Sequence, residues 1–104
     1  MIEKKFLKSK PVCKVTFTLP VEAAPKAKKV ALVGEFNDWD VSKAIPLKKQ
    51  AKAGVFKALV DLETGKSYEF RYLIDGETWE NDWAADAYKA SPFGGENSVV
   101  TTLN

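Results

Sequence analysis

From Val12 to Leu19 apolar and polar side chains alternate, with Cys13, Val15, Phe17 and Leu19 on one face and Lys14, Thr16 and Thr18 on the other. A period of two predicts a half-buried strand, which Pro20 ends. A second strand is expected from about Lys29 to Phe36, with Val30, Leu32, Gly34 and Phe36 on one side and Ala31, Val33 and Glu35 on the other. Phe56, Ala58, Val60 and Leu62 mark a third run over Val55–Leu62, and the turn Glu63-Thr64-Gly65-Lys66 leads straight into a fourth over Ser67–Asp75. In that run Tyr68, Phe70, Tyr72 and Ile74 take the core side, while Glu69, Arg71, Leu73 and Asp75 take the other. Asp75-Gly76 is a tight-turn signal that folds Thr78-Trp79-Glu80 back as a short return strand. The closing strand is expected over Asn97–Leu103.

Between these runs the pattern fades. Pro25 among alanines and lysines makes residues 21–29 a connection rather than a helix. Residues 41–53, with Pro46 and a lysine-rich stretch, read as a long loop, and so do residues 81–96, where only Trp83–Ala90 leaves room for a short helical turn. Residues 1–11 read as a loosely held basic arm that can still pack as an edge strand, followed by one domain over residues 12–104. Short strands with frequent turn signals and no helical period predict an all-β chain, a β-sandwich of about seven strands, with a small β-barrel as second choice.

Composition narrows the chemistry. At 104 residues, 45% hydrophobic and 29% charged, the chain has room for one core. Sixteen basic against 14 acidic side chains leave a net charge of +2, too weak a field for general attraction of polyanions. Histidine is absent, which removes the usual near-neutral proton shuttle and every Ser-His or Cys-His nucleophile pair. Cys13 stands alone and reads as a small buried hydrophobe, so neither a metal centre nor another cofactor is expected. No apolar run approaches the roughly 20 residues that span a bilayer, and the first residues lack a signal peptide's apolar stretch, so a cytoplasmic protein without a membrane partner is expected.

All three tryptophans, Trp39, Trp79 and Trp83, fall at strand ends or in polar loops rather than in the alternating runs. Polar neighbours stand near them in sequence or by parity: Asn37, Arg71, Asp82 and Asn97. A flat indole matches the C–H face of a pyranose ring, and amides and charges match its hydroxyls. By analogy with base stacking on aromatic side chains, two such platforms give an affinity on the order of micromolar to millimolar.

Three segments carry a resemblance: Val30-Ala31-Leu32-Val33-Gly34-Glu35-Phe36-Asn37-Asp38-Trp39, Tyr68-Glu69-Phe70-Arg71-Tyr72-Leu73-Ile74-Asp75-Gly76, and Pro92-Phe93-Gly94-Gly95-Glu96-Asn97-Ser98-Val99-Val100. In this order and spacing, the chain from about Val12 to Leu103 resembles carbohydrate-binding module family 48, which includes the glycogen-binding domain of the AMP-activated kinase beta subunit and the N-terminal domains of isoamylases and branching enzymes. The resemblance implies an immunoglobulin-like β-sandwich that binds α-1,4-linked glucan (glycogen, starch or malto-oligosaccharide) without catalysis. A glucan-metabolising enzyme or kinase is the implied protein partner. It also implies a site of Trp39 and Trp79 stacking on glucose, Arg71 where kinase-type members carry lysine, Asn97 opening the last strand, and Phe93 inserting beside the sugar chain. The turn before Trp79 is one residue longer than in those members, and Trp83 stands where they have proline; for Trp83 we expect a packed loop residue.

Three other classes compete. Aromatic and lysine residues together also suit single-stranded nucleic acid, but residues 1–29 carry eight lysines against two glutamates, while residues 75–97 carry six acids and one lysine. The aromatic site is therefore on acidic ground, where a phosphate backbone is repelled and a neutral glucan is not, so no nucleic-acid partner is expected. A glycosidase needs two facing carboxylates across a cleft, and Asp75, Asp82 and Asp86 lie in turns of a domain too small to wall one. A protein-docking module of a glucan-metabolising complex, with the sugar site weak or lost, remains the alternative.

Overall fold

A computed structural model describes residues 2–92 and 94–103. Nine strands form among them: β1 (Ile2–Phe6), β2 (Val12–Pro20), β3 (Val30–Gly34), β4 (Ile45–Gln50), β5 (Val55–Glu63), β6 (Ser67–Ile74), β7 (Thr78–Glu80), β8 (Ala87–Ala90) and β9 (Glu96–Thr101). They hydrogen-bond in the order β1-β2-β5-β4-β3-β6-β9-β8, with β7 added on β6. Every pairing is antiparallel.

β4 turns this sheet into a sandwich. Its first half pairs with β3 (Leu32↔Ile45, Val30↔Leu47), and its second half pairs with β5 (Lys48↔Lys57, Gln50↔Val55). The sheet thereby curls over itself, one layer holding β1, β2 and β5 and the other β3, β6, β9 and β8. Between them lie Cys13, Val15, Phe17 and Leu19 of β2, Phe56, Ala58 and Leu62 of β5, Val30 and Leu32 of β3, Phe70 and Tyr72 of β6 and Val100 of β9. Phe70 meets Phe17 edge-on at 5.1 Å and Tyr72 edge-on at 5.7 Å, so aromatic edges and faces tie the two layers together.

The all-β expectation holds, with nine strands rather than about seven. Residues 41–53 are not one loop, because β4 occupies their centre. Over Ile45–Leu47 it pairs on one side only, a setting in which a proline need not break a ladder. Residues 81–96 contain β8, and the stretch 83–90 forms a turn at 83–84 and no helix. Residues 2–6 take the edge-strand option: β1 pairs with β2 from Ile2↔Phe17 to Phe6↔Cys13, and Ile2 and Phe6 pack against the core. The simple in-and-out alternation also fails at Val33 and Leu73, which are buried although their parity turns them to the outer face of the second layer. That outer face is overlaid by loops, and the candidate site lies there.

Candidate functional site

β3 ends where the chain must press against β6. A Cβ on Gly34 would lie 2.5 Å from the Glu69 carbonyl oxygen and 2.7 Å from Phe70 Cβ, so only glycine lets the two backbones approach. The next residues, Glu35–Asn37, make one 3-10 turn. Asn37, buried beneath it, accepts from the Gly34 N–H at 2.9 Å and donates to the carbonyls of Leu32 at 3.1 Å and Lys43 at 3.3 Å. Asp38 and Trp39 follow in the left-handed region, both with φ of 57°, and the Trp39 N–H returns to the Gly34 carbonyl at 2.9 Å. A tryptophan pays for such a backbone only where its surroundings hold it, and the Asn37 clamp does so. The indole emerges 37% exposed.

Trp79 arrives from the other side. Asp75 and Gly76 turn the chain with φ of 51° and 69°. The Asp75 carboxylate accepts from the N–H groups of Lys28 and Lys29, each at 2.8 Å, pinning the turn to the approach of β3. β7 then pairs Trp79 with Leu73, leaving the ring 42% exposed.

A polar line built on β6 and β9 shares the site with the two rings. Arg71 donates from Nε to Asn97 Oδ1 at 2.6 Å and from Nη2 to the Gly94 carbonyl at 3.2 Å. Asn97, only 7% exposed, donates from Nδ2 to Glu69 Oε1 at 3.1 Å. Lys89 Nζ stands 3.8 Å from Glu69 Oε2. The Glu69 N–H in turn donates to the Glu35 carboxylate at 2.6 Å, joining this line to the Trp39 turn.

Trp39, Trp79, Arg71 and Asn97 thus line one cleft of about 560 Å³, together with Glu69, Ser91 and Pro92. The longer turn before Trp79 does not remove its ring from that cleft. Phe93 lies outside the described residues. Glu69, Ser91 and Pro92 were not among the expected site residues; for Glu69 the signal was its shared parity with Arg71. Asn37 and Asp82 are structural instead. Asp82 is buried, accepts from the Tyr72 hydroxyl at 2.7 Å and from the Ala84 N–H at 2.8 Å, and its own N–H donates to Ser98 Oγ at 2.8 Å. Burial, and then the Asp82 carboxylate, push the Tyr72 phenol well above its ordinary range. Trp83 is not the packed residue expected: it is 55% exposed and lies outside the cleft lining.

The three turn carboxylates do not face one another as a pair across this cleft. Asp75 and Asp82 hold the backbone and tyrosine groups just described, and Asp86 Oδ2 takes the Thr101 N–H at 2.8 Å and Lys4 Nζ at 2.6 Å. Among the described residues no group of acidic or thiol side chains has the arrangement of a metal site.

The sequence profile of Carbohydrate-binding module 48 (Isoamylase N-terminal domain) matches residues 15–93. The chain belongs to carbohydrate-binding module family 48. It is therefore a carbohydrate-binding module by family, and its relatives are glucan enzymes. The 1,4-alpha-glucan branching enzyme GlgB of Aquifex aeolicus is 33% identical over 89 residues, covering 78% of this chain and 13% of that enzyme. The namesake from Nitrosomonas europaea is 33% identical over 84 residues, covering 77% of this chain and 11% of the enzyme. This family 48 chain thus spans only about a tenth of the length of such relatives. Its fold is also that of a part of the enterobactin esterase FES from Shigella flexneri, with a TM-score of 0.76 over 97% of this chain and 32% of that one, at 11% identity.

Proposed function

We propose that this module binds α-1,4-linked glucan without catalysing a reaction on it, Trp39 and Trp79 stacking on glucose units while Arg71 donates to their hydroxyls. Asn97 sets the guanidinium's orientation, and among the described residues its side-chain amide uses one hydrogen and one lone pair in doing so and in holding Glu69. The observation that carries this reading is the placement of two exposed indoles on one cleft, which a hydrogen-bonded line of charged and amide groups also lines. The family match supports a carbohydrate ligand, and the relatives, being 1,4-alpha-glucan branching enzymes, support an α-1,4-linked one. Because the module corresponds to a small part of those relatives, its setting is beside a glucan-metabolising enzyme, whose substrate it holds close by raising local concentration.

Tryptophan fluorescence titration with maltoheptaose, using a cello-oligosaccharide of similar length as control, tests the reading. Maltoheptaose is expected to shift the emission and the control to leave it unchanged. Trp39→Ala and Trp79→Ala, each still folded by circular dichroism, are expected to weaken binding by roughly tenfold, about what one stacked ring is worth. A wild-type chain that ignores maltoheptaose, or a folded Trp39→Ala variant with full affinity, overturns it.

A further inference from the structure

The cleft floor holds a carboxylate with spare capacity. Glu69 sits two residues before Arg71 on β6, lines the same cleft, and has a side chain 21% exposed. A carboxylate offers about four acceptor positions. Among the described residues its carboxylate takes one hydrogen bond, from Asn97 at 3.1 Å, and has one looser ion pair, with Lys89 at 3.8 Å. Arg71 does not neutralise it directly, because the guanidinium is turned to the Asn97 amide oxygen and the Gly94 carbonyl. Asn97 therefore stands between a cationic donor and an anionic acceptor and bonds to both.

We propose that Glu69 is a specificity-determining contact: its carboxylate accepts a hydrogen bond from one sugar hydroxyl while Arg71 donates to a neighbouring one, and its charge turns away sugars carrying phosphate or carboxylate groups. This rests on the reading of the cleft as a glucan site. A hydroxyl both donates and accepts, so an adjacent pair satisfies Glu69 and Arg71 together. An ionised phosphate only accepts; it satisfies Arg71 but meets repulsion at Glu69. The segment 75–97, which supplies Trp79, Ser91, Pro92 and Asn97, carries six acids against one lysine and adds to that repulsion.

The experiment is a titration of the full chain with maltoheptaose and with maltoheptaose carrying one phosphomonoester, for wild type and Glu69→Gln. Wild type is expected to prefer the neutral sugar by about tenfold or more, the scale of discrimination by unpaired or repelled polar groups. Glutamine keeps the size of the side chain and an oxygen for Asn97. It is expected to weaken neutral binding by about fivefold or more through loss of a charged hydrogen bond, and to bring the preference down to about threefold or less once the repulsive charge is gone. Equal wild-type affinity for the two sugars overturns the inference without any variant, as does a Glu69→Gln chain that binds both as wild type does. A wild-type chain that binds neither sugar overturns the glucan reading as well, so the two failures are distinct.

Discussion

At the residue scale, the presentation of Trp39 depends on two residues outside the cleft lining, Asn37 and Gly34. Asn37 replaces missing backbone partners with three hydrogen bonds from one buried amide, and so makes a left-handed Asp38-Trp39 pair tolerable. Gly34 contributes by having no side chain: its φ is extended and open to any residue, but the space above its Cα is occupied by β6 backbone. Gly34→Ala must push β3 and β6 apart or break the Glu69 N–H bond to Glu35. We expect a loss of about 2–4 kcal/mol, the upper range for overpacking against backbone that cannot yield. Urea denaturation of the two proteins measures it. A midpoint unchanged from wild type contradicts the close approach. Because the same displacement moves the Trp39 turn relative to Arg71, glucan affinity is expected to fall more than stability alone explains.

At the element scale, strands whose two faces differ were legible and strands whose faces do not were missed. β2, β5 and β6 alternate because one face meets the core, and their boundaries fall within a residue or so of the pattern. β8 is four exposed residues at a sheet edge, with no alternation of burial to imprint itself on the sequence. β4 is divided between two layers and carries Pro46, so its pattern changes half-way. The site follows the same logic. As lining of the cleft, Arg71 was legible from parity and the family resemblance and Asn97 from the resemblance, whereas Glu69 shared the parity of Arg71 without a familiar role. Ser91 and Pro92 sit in a loop, where no periodicity reports on direction. β1 is the element whose contribution is easiest to isolate, since among the described residues it pairs with β2 alone and its Ile2 and Phe6 lie half-buried on the core. Deleting residues 1–6 is expected to cost about 2–3 kcal/mol for two partly buried apolar side chains. It also bares the edge of β2, inviting concentration-dependent association. Urea midpoints and size-exclusion chromatography read both effects. Maltoheptaose affinity is expected to persist in the folded fraction, because the cleft is on the other layer; its loss contradicts that separation.

At the scale of the whole molecule, charge is divided rather than merely balanced. The lysine-rich first 29 residues supply β1 and β2, and the acidic segment 75–97 borders the cleft. The Lys4–Asp86 pair at 2.6 Å is one place where the two territories meet. This division separates the two ligand classes that exposed aromatics can serve. A nucleic acid would be drawn to the basic layer, away from Trp39 and Trp79, and its binding would weaken by orders of magnitude as salt rises through counterion release. A neutral oligosaccharide releases no counterions. Raising salt from about 50 to about 500 mM is therefore expected to change maltoheptaose affinity by less than about twofold, since its contacts are stacking and short-range hydrogen bonds that ions screen little. Isothermal titration at both salt concentrations is the measurement. A steep fall would contradict a site whose contacts to the sugar are stacking and short-range hydrogen bonds.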